Sequence, residues 1–148
     1  MAGRVSEAVI EVRSLRKVRL QDVSLRVDAG ERVAIVGRSG EGKTILLRSI
    51  LGLLAPGAGE VRVLGGSPRS IAGDLPGLGV AFQNPGLFDA WSIRQNLAAA
   101  ASGAISDDIL RSLLAEIGLE NVSLDRSPKH LSGGQQKRVA LIRAVLRG

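Results

Sequence analysis

The sequence predicts an α/β fold, and three observations carry that prediction. An apolar, β-branched run at residues 31–36 leads directly into Gly37-Arg38-Ser39-Gly40-Glu41-Gly42-Lys43-Thr44, and residues 43–54 then place Ile45, Leu46, Ile50 and Leu53 at helical spacing. Upstream of this strand-loop-helix unit lie two further strand-like runs. Near Asn84 the pattern shifts from mixed α/β to mostly helical, which marks a candidate subdomain boundary.

Taken in order, residues 9–12 form a short apolar strand, and residues 23–27 alternate with period two before the turn Asp28-Ala29-Gly30. The run 31–36 is the strand that aims the glycine loop at the helix start. Pro56-Gly57-Ala58-Gly59 is a turn, residues 60–64 alternate as a strand, and Gly65-Gly66-Ser67-Pro68 breaks it. Residues 78–82 make another short strand, ending at Gln83. An alanine-rich helix follows at 93–101. Ser106 is the N-cap of a helix reaching Ile117, with Ile109, Leu110, Leu113, Leu114 and Ile117 on one face and Gly118 closing it. The last helix, 133–146, has Val139, Leu141, Ile142, Val145 and Leu146 as its apolar positions.

Composition bounds the rest. At 148 residues and 45% apolar content, the chain is one domain's worth and buries a core. No stretch approaches the roughly 18 to 20 uncharged apolar residues that cross a bilayer, and residues 1–10 lack the apolar centre of a signal peptide, so a cytoplasmic location is expected. There is no cysteine, which removes disulfide, thiolate-zinc and cysteine-nucleophile chemistry, and the single histidine, His130, does not make a metal site alone. The formal net charge of +6 suggests nucleic acid, but Phe82, Phe88 and Trp91 are the only aromatics and form no stacking platform. No nucleic-acid partner is expected. Asn121-Val122-Ser123 fits a glycosylation acceptor, and without a secretory signal it is coincidence.

Gly37 to Thr44 satisfies G-x-x-x-x-G-K-[ST], the pattern of a phosphate-binding loop. Glycines let successive backbone N–H groups turn inward around an anion, and the helix start adds a partial positive charge. Lys43 then reaches the β and γ phosphates, and Thr44 offers its hydroxyl to Mg²⁺. Lysine and threonine are scarce here, with four and one in the whole chain, so a chance match is improbable.

A second anion-receptive helix start is Leu131-Ser132-Gly133-Gly134-Gln135. Ser132 and Gln135 also satisfy a capping box, so a plain helix N-terminus explains the pattern equally well in isolation. Gln83, at a strand end between the two motifs, is an amide placed to sense a metal or water beside a γ-phosphate.

Taken together, Gly37 to Thr44, Phe82-Gln83, and Leu131 to Gln135 followed by Gln136-Lys137-Arg138-Val139-Ala140-Leu141 resemble the nucleotide-binding domain of an ABC transporter, with its Walker A loop, Q-loop and signature helix. The resemblance implies a P-loop NTPase core, an N-terminal antiparallel β-subdomain and an α-helical signature subdomain. Residues 1–148 would then be a single partial domain, divided into about 1–83 and about 84–148. It implies ATP and Mg²⁺ as cofactors, with Gly37, Arg38, Ser39, Gly40, Glu41, Gly42, Lys43, Thr44 and Gln83 on ATP and with Thr44 and Gln83 on the metal. Leu131, Ser132, Gly133, Gly134 and Gln135 would cap the nucleotide of a second nucleotide-binding domain in a head-to-tail dimer. The implied partner is a transmembrane permease docked on the surface 84–96, which places the protein on the cytoplasmic face of the membrane. A non-transport ATPase of the same family, of the translation-factor or DNA-repair type, is the alternative.

Departures from the family pattern carry their own expectations. The family's Walker B strand, ending in Asp and followed by the catalytic Glu, is not found in these residues: 87–89 is too short, 113–116 is helical, and 140–142 is followed by Arg143. The chain is thus expected to lack the C-terminal part of the domain and to be inactive in hydrolysis alone. Glu41 puts a carboxylate inside the phosphate loop, where repulsion weakens binding unless the side chain points to solvent. Lys17, Val18 and Arg19 stand where the family has an aromatic against adenine.

Overall fold

The computed structural model describes residues 8–68 and 77–147. The chain divides into two compact units, Met1–Leu75 and Pro76–Gly148, so the boundary expected near Asn84 falls inside the second unit.

The first unit is a three-stranded antiparallel sheet of order β2-β1-β3, with one helix against it. Strand β1 (Ala8–Lys17) turns at Val18-Arg19 into β2 (Leu20–Asp28), and β3 (Ala58–Val63) pairs with the other edge of β1. Val12 and Leu15 are both buried although they stand three apart, a spacing that would send one of them to solvent in a regular strand. A bulge at Ser14, with φ of 46°, slips the β1–β2 register between Val12 and Leu15 and returns Leu15 to the core face. The Ser14 amide, lost to the ladder, donates to Ser24 Oγ at 3.0 Å. Opposite the bulge sits Gly59, with φ of 83°, where a Cβ would collide with the Ser14 carbonyl. The outer face carries exposed ion pairs, Arg13 with Glu11 and Arg62 with Glu60, which water and salt screen.

Helix α1 (Lys43–Ile50) packs Leu46 and Ile50 on the sheet. It stops short of the expected residue 54 because Gly52 adopts φ of 69° against the Pro68 carbonyl, where a Cβ would come within 2.6 Å. Leu53, expected on the apolar stripe, is 65% exposed. Ser49 lies beside Leu46 and Ile50, 1% exposed, and its hydroxyl has no hydrogen-bond partner among the described residues. Ser49→Ala removes a desolvated, unpaired hydroxyl, and a gain of about 1 kcal/mol is expected in thermal melts.

The second unit holds α2 (Ile93–Ala98), α3 (Asp107–Glu116), a 3₁₀ turn (Pro128–His130) and α4 (Gly133–Arg147). Their shared core is Ile93, Leu97, Leu110, Leu114, Leu119, Leu124, Leu131, Val139 and Ile142. Ser106 caps α3 through the Ile109 amide as expected, and Gly118 ends it at φ of 67°. Ser92 caps α2 in a reciprocal box with Gln95. Two expected apolar stripes are only half right. Ile109 on α3 and Leu141 and Val145 on α4 are exposed, because the three-helix core consumes only one side of each helix.

Two expected strands are corrected by the structure. Residues 31–36 and 78–82 pair with no other segment among the described residues. Val36 is 90% exposed and Phe82 53%. A strand is defined by hydrogen bonds to a neighbour, and apolar β-branched composition alone supplies none. Residue Gly79 instead lies so close to Ala144 on α4 that a Cβ would strike the Ala144 carbonyl.

Candidate functional site

The phosphate loop belongs wholly to the first unit. Gly40 and Gly42 have φ of 84° and 103°, a region that L side chains rarely occupy, and a Cβ on Gly42 would also meet Leu20 Cδ2 at 2.6 Å. Gly42 is the N-cap of α1 and offers no side chain, so the first helical amides are left uncapped from within. The motif's glycines are therefore required by the path of the chain, and that path opens the helix start to an external acceptor.

Lys43 folds back across the loop. Its Nζ donates to the carbonyls of Gly37 at 2.7 Å and Arg38 at 2.6 Å. Thr44 stands exposed one residue into the helix, and its hydroxyl has no hydrogen bond among the described residues. Glu41 is exposed, yet its carboxylate turns back on the loop: Oε2 accepts from the Arg38 amide at 2.7 Å, over Gly37. Arg19, from the β1–β2 turn, donates to the Gly40 carbonyl at 3.1 Å. Sequence alone had placed Arg19 only in the neighbourhood of a missing aromatic. Its contact with the loop depends on the hairpin.

Gln83 lies in the second unit and is exposed. The segment after it is held down firmly. Arg143 Nη1 and Nη2 donate to the carbonyls of Gly86 and Pro85, both at 2.7 Å, and Ser127 Oγ donates to the Asp89 carbonyl at 2.7 Å. Asn96, 1% exposed, accepts from the Phe88 amide at 2.8 Å and donates to the carbonyls of Phe88 and Ser92 at 3.0 Å. These contacts present Phe88 and Trp91 as an exposed, tilted pair with ring centroids 4.5 Å apart. Sequence reading missed Asn96 and Arg143. Asn96 had left a signal, being a polar residue on the buried stripe of Ile93 and Leu97.

At the start of α4 the capping box is complete: the Ser132 amide donates to Gln135 Oε1 at 2.9 Å, and the Gln135 amide donates to Ser132 Oγ at 3.3 Å. Leu131 is buried in the helical core and anchors the motif. Gly133 and Gly134 are exposed, and a Cβ added at either would meet nothing within 4 Å. Packing among the described residues gives no reason for glycine at those two positions.

Among the described residues, no group of three or more His, Asp and Glu is placed to hold a metal, and no helix is long and apolar enough to cross a membrane. A hydroxyl such as that of Thr44 fits Mg²⁺ that arrives with phosphate oxygens and waters, since that ion commonly takes only one or two protein ligands.

Comparison with known proteins places these features in one group. The chain is 36% identical over 157 residues to the chloroplastic protein TRIGALACTOSYLDIACYLGLYCEROL 3 of Arabidopsis thaliana, covering 95% of this chain and 45% of that protein. It is 38% identical over 137 residues to the glycine betaine uptake system ATP-binding protein YehX of Escherichia coli, covering 85% and 43%. The chain thus spans less than half the length of these two relatives. Among solved structures it is similar to cbiO1 of Clostridium perfringens, part of the ABC transporter complex cbiONQ, at TM-score 0.77 and 25% identity over 95% of this chain and 62% of that one. A second solved structure, an ATP binding subunit of an ABC transporter, matches at TM-score 0.74 and 28% identity over 94% and 62%. The glycine path of the loop and the helical unit after it both lie within residues 20–148, which the ABC transporter family model matches, and the chain belongs to that family.

Proposed function

We propose that this chain is the nucleotide-binding part of an ABC transporter's ATP-binding subunit, holding Mg-ATP on Gly37 to Thr44 at the cytoplasmic face of a membrane. The observation that carries the reading is the loop itself: left-handed glycines at 40 and 42, an uncapped α1 start, and the Lys43 ammonium folded across it. Loop amides and Lys43 neutralise phosphate charge, and Thr44 supplies a hydroxyl to the metal. Gln83 is assigned to the metal and to coupling with a permease. The permease docks on 84–96, where Arg143, Asn96 and Ser127 fix the backbone and leave Phe88 and Trp91 outward. The chemistry the metal would supply there is positive charge to offset that of the phosphates. No adjacent Asp-Glu pair ends an apolar strand within these 148 residues, so binding, not hydrolysis, is what they are assigned.

Leu131 to Gln135 is assigned to the nucleotide of a second protomer. Open space around Gly133 and Gly134 supports this, because no neighbour among the described residues requires glycine there. Gly134→Ala should raise stability by up to about 1 kcal/mol, since alanine is the better helix former. The same change should weaken ATP-dependent association about tenfold in sedimentation, by crowding the approach of a phosphate. Unchanged association with increased stability would leave the glycines without this role.

Calorimetry of the protein with Mg-ATP tests the reading as a whole. Heat that saturates at one site and disappears in Lys43→Ala is expected. Absence of heat, or the same heat in both proteins, would end it.

A further inference from the structure

We propose that Glu41 is an internal anion of the phosphate loop: its carboxylate already lies on a loop amide, so the phosphates of an incoming nucleotide enter against a like charge. The proposal rests on the reading that this loop holds a nucleotide tail. Four observations carry it. Glu41 Oε2 accepts from the Arg38 amide at 2.7 Å, a charge-assisted length. The Glu41 amide in turn donates to the Arg38 carbonyl at 3.4 Å, so a short turn holds the side chain back over the loop. Gly37 makes room for it, since a Cβ there would lie 2.5 Å from Oε2. Glu41 has no ion pair among the described residues, so no side-chain cation there offsets its charge.

The Arg38 amide donates to Glu41, and the Lys43 ammonium gives two of its three donors to the carbonyls of Gly37 and Arg38. A phosphate entering this loop meets the remaining donor of Lys43 and, beside it, a carboxylate of its own sign. Ligands with more negative charge suffer more repulsion from Glu41, while also gaining more from Lys43. Glu41 therefore sets how tightly the loop holds a triphosphate, without being part of any chemical step.

The test is calorimetry of the wild-type protein, Glu41→Gln and Glu41→Ala with Mg-ATP, Mg-ADP and AMP, at low and high salt. The side chain is exposed, so both variants should fold, which circular dichroism confirms. Both should bind Mg-ATP about tenfold more tightly than wild type, equivalent to about 1.4 kcal/mol. The gain should be smaller for AMP and should shrink at high salt, where exposed charges are screened. In the nucleotide-free protein, hydrogen exchange at the Arg38 amide should speed up in Glu41→Ala. Equal or weaker Mg-ATP binding in both variants, with wild type binding and Lys43→Ala not, overturns the role of Glu41 and leaves the functional reading standing. A gain in Glu41→Ala without one in Glu41→Gln assigns a steric obstacle and also overturns it. No binding by any of the proteins removes the functional reading, and this proposal with it.

Discussion

Lys43→Ala should lower Mg-ATP affinity by 100-fold or more, the largest effect on binding expected from a single change in this chain. An ammonium paired with phosphate oxygens in a partly enclosed loop is worth about 2–4 kcal/mol when truncated, and tenfold corresponds to about 1.4 kcal/mol. The half-buried stem of Lys43 brings Nζ within 2.7 Å of the Gly37 carbonyl and 2.6 Å of that of Arg38, at the mouth of the loop. Lys43→Arg should not rescue, because a planar guanidinium cannot take up the same point-like position between two carbonyls. Stability should stay within about 0.5 kcal/mol, since the loop is largely exposed. Titration calorimetry beside a thermal melt separates the two effects. An unfolded Lys43→Ala protein, or one that binds as wild type does, would contradict the expectation.

Asn96→Ala should be the most destabilising of the polar substitutions, costing about 3 kcal/mol, read from the urea midpoint. Asn96 is 1% exposed, and its three bonds satisfy the Phe88 amide and the carbonyls of Phe88 and Ser92. Removing it empties a buried side-chain site and leaves the part-buried Phe88 amide without its acceptor, at about 1–3 kcal/mol for that group, while the carbonyls of Phe88 and Ser92 keep their bonds from the Trp91 and Asn96 amides. Asn96→Asp keeps the shape but fares no better, because a carboxylate has no donor for the two carbonyls and carries charge into a buried site. The change should also loosen residues 84–92, visible as faster hydrogen exchange there. A midpoint within error of wild type would show that another contact holds this segment.

What was legible in the sequence was local. Gly40 and Gly42 are glycines because the loop takes φ of 84° and 103° there, and the motif pattern records that need within a few residues. Ser106 reaches the Ile109 amide, Ser132 reaches that of Gln135, and Gly118 ends α3, all within a turn of chain. Where reading overreached, the missing term was a partner. Residues 31–36 and 78–82 have strand composition, yet pairing is a property of two segments and neither finds another among the described residues. Leu141 and Val145 have helical apolar spacing, yet α4 meets its core on one side only.

By itself, the sequence determined the kind of site: a glycine-lined helix start with a lysine, and the order of motifs that identifies the family. Tertiary structure decided which groups the site actually uses at rest. The Ser14 bulge that buries Leu15, the clamp of Arg143 on carbonyls 57 and 58 residues away, and the bond from Arg19 to Gly40 all depend on chain segments brought together by folding. The direction of Glu41 belongs with them. Its identity is written in the motif, but whether a flexible carboxylate faces water or a loop amide is settled by the backbone dipoles around it, and those exist only once the loop is closed.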